Sequence, residues 1–492
     1  MTENLDLYTL LGLTREASPE EIRQAHFEAA RRLHPDTNSA PGETELFLGI
    51  QKAYEILSNS QTRVEYDATL PPKKAPGVLL DQKMLFSRQG LLRSDEQQVI
   101  YAILEFSVPT GLKTRPAPPL NLCLVLDHST SMKGRNLDVA KATAIKIVHQ
   151  LKPQDIFSVV AFSDRAEVII PATRGSEMAK QEARIQMLQP SGGTEIFSGL
   201  ESGYNEILRN TNRSQVNHVI LLTDGRTYGD ESECIDLAQK AAKQGIGISG
   251  LGIGTEWNDE FLDKLASLTG GSSAYVSQPD DIQHVLLDKI NQLGMSYTEE
   301  TRLEFQCPEG VELRYAFRLQ TEAGLLSFES PLMMGPIIWD NSLKVLMEFI
   351  VQPEALKRTT ITLLNGKVSI TLTDESPHIQ SIPLQLVRHV LDEASADPPP
   401  PEIVQALSRL KLYRLQEQAR LEATTGNFEQ AAEYLSRLAT RLLAQGEPGL
   451  AKTVLMEAEN MNQKKSFSQQ GGKEIKYGTR ALLGIGPGKE GR

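Results

Sequence analysis

The chain has 492 residues, a formal net charge of −12, and ordinary apolar and charged fractions of 40% and 23%. Such a length is too great for one hydrophobic core and predicts about two to four domains, and the composition argues against wholesale disorder. The acidic balance argues against broad binding to nucleic acid or anionic membranes, which needs a basic surface. No apolar run is long enough to span a bilayer, and the first residues lack the basic start of a signal peptide. Cys123, Cys234 and Cys307 are far apart, with no C-x-x-C among them. The expectation is a cytoplasmic protein with neither disulfides nor a zinc site.

Residues 1–70 read as all-helical. Asp6-Leu7-Tyr8-Thr9-Leu10-Leu11-Gly12-Leu13 is a short apolar helix closed by Gly12. Ser18, Pro19 and Glu21 then supply an N-cap, a first-turn proline and the acid three residues after the cap. The helix runs through Ile22, Ala25, Ala29 and Leu33 and stops at His34-Pro35-Asp36, because Pro35 disfavours helical geometry at His34. A further amphipathic helix carries Leu46, Phe47, Ile50, Ala53, Tyr54 and Leu57 and is predicted to pack antiparallel to the first. On Leu7-Tyr8, Leu11-Gly12-Leu13, His34-Pro35-Asp36, Lys52-Ala53-Tyr54-Glu55-Ile56-Leu57 and Arg63-Val64-Glu65-Tyr66-Asp67, this segment resembles the J-domain of DnaJ-type co-chaperones. The resemblance implies that His34, Pro35 and Asp36, with Arg23, Arg31 and Arg32 of the preceding helix, dock on a DnaK-type chaperone and stimulate its ATP hydrolysis. One departure stands out: residues 1–70 hold 6 basic and 12 acidic side chains, and His26 and Phe27 stand where polar or basic residues are common in that family. Electrostatic steering toward an acidic chaperone surface is correspondingly weaker.

Residues 71–82, opening with Pro71-Pro72-Lys73-Lys74-Ala75-Pro76-Gly77, form a stiff linker by composition. Residues 83–116 and 297–390 contain short alternating runs separated by Gly and Pro, notably Val99–Val108, Leu303–Cys307, Val311–Tyr315, Leu343–Phe349 and Lys367–Leu372. They predict a discontinuous β-sandwich holding the intervening segment by both ends.

Within residues 117–296 strands and helices alternate, as in a doubly wound α/β sheet. Leu120–Leu126 is a nearly continuous apolar run that breaks into Asp127-His128-Ser129-Thr130-Ser131. A strand buried on both faces followed at once by carboxylate and hydroxyl groups places hard oxygen donors at the crevice beyond a strand's carboxyl end. Gly192-Gly193-Thr194 precedes a helical pattern, and a second apolar strand, His218–Thr223, ends in Asp224-Gly225. With these pieces the segment resembles the von Willebrand factor A-type domain, whose metal-ion-dependent adhesion site uses D-x-S-x-S, a Thr and an Asp in that order. The resemblance implies a Mg²⁺ (or Mn²⁺) site formed by Asp127, Ser129, Ser131, Thr194 and Asp224, with one open position for an acidic side chain of a protein partner. Glu195, directly after Thr194, adds negative charge that leaves the ligand type open.

Gly245-Ile246-Gly247-Ile248-Ser249-Gly250 has G-x-G-x-x-G spacing but enters a strand from a helix, the reverse of a dinucleotide-binding turn. After a proline-rich linker at 391–401, residues 402–462 predict a three-helix bundle, and the polar, Gly-rich residues 463–492 predict a flexible tail. The fold class expected is multidomain: an all-α J-domain, an α/β doubly wound A-type domain inserted in a β-sandwich, and a C-terminal helical bundle. The function expected is a non-enzymatic adaptor that brings a DnaK-type chaperone to a metal-captured partner. The alternatives are an assembly scaffold with a vestigial J-domain and a metal-dependent hydrolase using Asp127 and Asp224, which lacks an evident general base.

Overall fold

A computed structural model describes residues 7–11, 13, 17, 19–33, 43–59, 62, 63, 66, 80–109, 117–174, 182–211, 215–227, 229–372, 379–393 and 397–484. They divide into two units, 1–73 and 74–492.

The first unit is helical. Helices α1 (Leu7–Leu10), α2 (Pro19–Leu33) and α3 (Glu43–Ser58) enclose a small core. Ile22 of α2 meets Ile50, Ala53 and Leu57 of α3 and Tyr8 of α1 in it, all almost wholly buried. His26 stacks on Tyr54 with ring centroids 4.1 Å apart. Arg63 ties the C-terminal part to the start, donating from Nε to the Tyr8 hydroxyl (2.9 Å) and from Nη2 to the Ala17 carbonyl (2.8 Å). The Ser18 cap and the His34-Pro35-Asp36 loop lie outside the described residues.

Among the described residues the second unit contains three sheets. Two of them, β1 (Asp81–Phe86), β3 (Gln98–Ser107), β14 (Ser342–Val351), β11 (Val311–Gln320) and β12 (Gly324–Leu325), and β13 (Leu332–Met333), β10 (Thr298–Gln306), β15 (Thr360–Leu372), β16 (Ile379–Leu391) and β2 (Gly90–Leu92), face each other in those orders. Alternate residues such as Ala102, Leu104 and Phe106 from one sheet and Val368, Ile370, Ile382 and Leu384 from the other form the core between them. This is a discontinuous β-sandwich, with the chain leaving after β3 and returning at β10.

One long strand, β16, was not among those expected, because Pro383 interrupts its pattern. Pro383 pairs with Lys367 on one side, while β2 reaches only His389–Leu391 on the other, so no second neighbour needs the missing N–H.

The inserted α/β domain is a sheet ordered β6 (Ala166–Arg174), β5 (Ile156–Phe162), β4 (Leu120–Asp127), β7 (Val216–Thr223), β8 (Gly247–Ile253), β9 (Ser273–Val276). All neighbours are parallel except the edge strand β6. Every residue of β4, β5 and β7 is buried, as a sheet covered on both faces requires. Helices α4 (Arg135–Gln150), α5 (Glu182–Gln186) and α9 (Asp281–Gly294) cover one face, and α6 (Ile196–Leu208), α7 (Glu231–Lys243) and α8 (Asp259–Thr269) the other. Gly245 lies between α7 and β8, as the reversed glycine motif requires.

The domain is joined to the sandwich by buried polar contacts. Arg318 of β11 donates to the carbonyls of Gly270 (2.8 Å), Gly271 (2.6 Å) and Met334 (3.1 Å), and Lys289 of α9 bonds Glu322 (2.5 Å).

The C-terminal segment corrects two expectations. It has four helices, α10 (Pro401–Thr424), α11 (Phe428–Ala444), α12 (Pro448–Lys464) and α13 (Gln469–Leu483), so the stretch expected to be a flexible tail is helical to Leu483. Ser468 caps α13 by accepting from Gly471 N, and Ile475, Thr479 and Leu483 are buried along one side. Its other inward groups are cationic, which is why the segment reads as polar and unfolded. Lys476 bonds Asp259 (2.5 Å) and Asp263 (2.7 Å) of α8, and Arg480 bonds Asp263 (2.6 Å). Arg420 of α10 adds two bonds to Asp259, at 2.9 and 3.2 Å. Nor is the segment a free-standing bundle, since Ile403, Ala406, Leu410 and Tyr413 of α10 pack on Ile103, Phe317, Leu319 and Leu346 of the sandwich.

Candidate metal centre

β4 and β7 are parallel neighbours with Leu126 opposite Leu222. The residues that follow, Asp127 and Thr223, therefore leave the sheet side by side, and Thr223 Oγ1 donates to Asp127 Oδ2 at 2.6 Å. The chain passes from β4 to β5 on one side and later to β7 on the other, so this point is a topological switch, where open α/β sheets bind ligands. Asp127 Oδ1 accepts from Ser129 N (2.8 Å), which bends the loop back over the strand end. Ser129 and Ser131 hydroxyls are 2.9 Å apart, and Ser131 Oγ donates to Asp224 Oδ1 at 2.5 Å.

Thr194 comes from the turn before α6. Thr130 N and Oγ1 donate to the Gly192 carbonyl (3.1 and 2.9 Å), and Asp164 Oδ1 accepts from Gly193 N (2.7 Å). Gly225, directly after Asp224, lies against Thr194, so that a Cβ there would stand 2.8 Å from Thr194 Oγ1. The structure thus links Asp127, Ser129, Ser131 and Asp224 through one chain of hydrogen bonds and sets Thr194 beside the Asp224-Gly225 turn.

Three further groups were not singled out in the sequence. Thr223 holds Asp127, Asn136 Nδ2 donates to Asp224 Oδ2 (3.2 Å), and Asp164 fixes the Gly193 turn. Thr223 could have been found from its place directly before Asp224, whereas Asn136 and Asp164 carry no local signal. Glu195 is exposed and makes no cap bond; Thr227 Oγ1 and Asp230 Oδ2 instead accept from the first two amides of α6. His128 is turned to the Gln189 carbonyl, 2.9 Å from its Nδ1.

Burial pushes the carboxyl of Asp127 up to about 6, against the hydrogen bonds from Thr223 and Ser129. Burial raises Asp224 as well, against Ser131 and Asn136. Among the described residues no basic side chain is a leading influence on either carboxyl. Two buried carboxylates with neutral hydrogen-bond donors around them are short of positive charge, which a divalent cation could supply. Among the described residues no group of three or more His, Cys, Asp or Glu is arranged to hold a metal. The donors here are two carboxylates and three hydroxyls, a set that fits a hard cation retaining several waters.

In the helical unit, Arg23 and Arg31 are exposed on α2, while the side chain of Arg32 and all of His34, Pro35 and Asp36 lie outside the described residues. Among the described residues no helix is long and apolar enough to cross a membrane.

Comparison with known proteins assigns these parts. The DnaJ domain model matches residues 6–67, the von Willebrand factor type A domain model residues 121–291, and the Sll0103-like C-terminal alpha-helical domain model residues 401–485. The chain is 35% identical over 182 residues to the uncharacterized protein sll0103 of Synechocystis sp., a match covering 36% of this chain and 43% of that protein. It is 50% identical over 62 residues to the chaperone protein DnaJ of Trichormus variabilis, covering 13% of this chain and 16% of that one. The chain therefore spans less than half the length of these curated relatives. A solved von Willebrand factor type A protein from Catenulispora acidiphila superposes with a TM-score of 0.65 at 13% identity, over 83% of this chain and 99% of that one, and shares the fold. The chain thus carries a DnaJ domain over residues 6–67 and a von Willebrand factor type A domain over residues 121–291.

Proposed function

We propose that the protein is a non-enzymatic co-chaperone adaptor of the cytoplasm. Its J-domain recruits a DnaK-type chaperone and stimulates ATP hydrolysis through His34, Pro35 and Asp36, with Arg23, Arg31 and Arg32 on the preceding helix. Its A-type domain captures a protein partner that presents an acidic side chain. Ser129, Ser131 and Thr194 would hold a Mg²⁺ or Mn²⁺ ion by their hydroxyls, with Asp127 and Asp224 supplying the balancing charge. The ion supplies an electrophilic position for a partner's carboxylate. Thr223 and Asn136 keep the two acids in place, and the Gly193 turn orients Thr194.

The observation that carries this reading is the buried Asp127–Asp224 arrangement with neutral donors and, among the described residues, no cationic side chain bonded to either acid. Covalent connection of the two domains raises the effective concentration of chaperone at the captured partner, so modest affinities suffice. Three free cysteines accord with a reducing compartment.

The test uses the full chain with two substitutions. His34→Gln should abolish stimulation of chaperone ATPase and leave Mg²⁺-dependent partner capture intact. Asp127→Ala should do the reverse, with capture also removed from the parent by chelation. Loss of capture in His34→Gln, or capture indifferent to both chelator and Asp127→Ala, refutes the adaptor.

A further inference from the structure

A cleft separate from the metal centre begins at Arg226, just beyond Asp224. β7 and β8 are parallel neighbours with Thr223 opposite Gly252, so the turn after Asp224 and the loop after β8 leave the sheet at the same edge. Arg226 joins them, its Nε donating to the Glu256 carbonyl (3.0 Å). The next carbonyl, that of Trp257, accepts from Lys473 Nζ of α13 (2.5 Å), and this ammonium lies 3.6 Å from the centroid of the Trp257 ring. Arg226, Trp257 and Lys473 thus share one wall of a cleft of about 1240 Å³, with α10 and the sandwich loop that carries Phe328 also lining it. Small-molecule sites span roughly 300–1,000 Å³, so this one has room for a length of polypeptide.

Its charges are not balanced from within. Asp259 and Asp263 are taken by Lys476, Arg420 and Arg480, and Glu417 accepts from the Tyr315 hydroxyl (3.4 Å). Among the described residues Arg226, Lys264, Lys465 and Lys473 line the cleft without an ion-pair partner. The first three are exposed, whereas Lys473 is buried, with 6% of its surface accessible. Burial lowers its ammonium to about 8, against the charge of Asp259 and together with those of Lys476, Arg226 and Arg420. A buried cation held only by a carbonyl and an aromatic face is costly until an anion joins it. Phe328 and Leu421, both exposed, add apolar cover in the same cleft.

We propose that this cleft is a second subsite for the partner, and that it takes an extended, glutamate- or aspartate-rich segment with one carboxylate paired to Lys473 and the next ones to Arg226 and Lys465. This rests on the metal-capture reading above, since the cleft starts beside Asp224 and continues the same preference for carboxylates. Charge complementarity selects the occupant: the chain as a whole carries −12, yet here unpaired cations gather. The methylene groups of such a segment find cover against Phe328 and Leu421, which a bare polyanion would not use.

The experiment titrates the full-length protein with fluorescein-labelled oligo-glutamate in the presence of Mg²⁺ and follows anisotropy, with oligo-lysine and oligothymidylate as comparison probes. Oligo-glutamate should bind and oligo-lysine should not. Lys473→Met should weaken binding by about tenfold. Arg226→Ala and Lys465→Ala should each weaken it by about threefold, with deficits that shrink at high salt. Arg226 and Lys465 are exposed, so an unchanged helical circular dichroism signal accompanies their loss. Binding that falls on chelation or in Asp127→Ala but is unchanged in all three cleft variants overturns the subsite and leaves metal capture standing. Binding that falls in the cleft variants but ignores chelation and Asp127→Ala supports the subsite and refutes metal capture. No binding of oligo-glutamate, or tighter binding of oligothymidylate, overturns the acidic-peptide assignment.

Discussion

The A-type domain contains two pairs of acidic side chains that are chemically alike and electrostatically opposite. At the strand ends, Asp127 and Asp224 are raised by burial and, among the described residues, bonded by hydroxyl, amide and backbone N–H groups. On α8, Asp259 and Asp263 are also penalised by burial, but the charges of Lys476, Arg420 and Arg480 outweigh it and hold both well below the usual carboxylate range. The second pair receives its cations from the same chain and fastens the C-terminal helices to the domain. The first pair has no such cation among the described residues, which is why a metal ion is proposed for it. Burial by itself does not tell a structural acid from a binding one; the origin of the compensating charge does.

The sharpest contrast is between Asp263→Asn and Asp127→Asn in metal-free protein. Asp263→Asn leaves Lys476 and Arg480 buried without their shared partner and should cost about 3–5 kcal/mol in urea unfolding, with amide exchange accelerated along α13. Asp127→Asn should be neutral or stabilising without metal, because it removes a charge that burial disfavours. Equal destabilisation by both would erase the distinction. The clamp also predicts a pH dependence: Asp259 and Asp263 titrate below their unfolded values, so their contribution is full above about pH 4 and is lost as pH falls through the folded values. Protection of α13 should fade in that acid range.

A smaller effect is expected at Gly225. A methyl group there collides with Thr194 Oγ1, so Gly225→Ala should weaken Mg²⁺ binding by roughly 10- to 100-fold in calorimetry, comparable to losing an orienting group at a metal site. Unchanged affinity would remove Thr194 from the proposed ligand set. Least of all, Arg420→Ala should cost about 1–2 kcal/mol, since Asp259 retains Lys476. A loss as large as that of Asp263→Asn would show that Arg420, not Lys476, dominates the clamp.

Much of the centre was legible from sequence because each donor sits at the end of a strongly patterned element. The apolar runs of β4 and β7 announce their own carboxyl ends, and Asp127 and Asp224 follow directly. Asn136 and Asp164 were not legible, since they lie on a helix start and a loop whose approach to the site depends on how the sheet is wound. The same limit hid β16, where Pro383 breaks the pattern but sits at a position paired on one side only. It also turned α13 into an expected tail, because its inward residues include Lys473, Lys476 and Arg480 beside the aliphatic Ile475 and Leu483.

By itself the sequence determined the helices of the J-domain, the strand–helix alternation of the A-type domain and which five oxygen-bearing residues to propose as ligands, since apolar period and turn residues are properties of neighbours along the chain. Tertiary structure alone decided which acids are neutralised from within. Lys476 lies 217 positions from Asp259, and charge has no period by which such a meeting can be read. Its effect depends on distance in space and on the water excluded when the surfaces close.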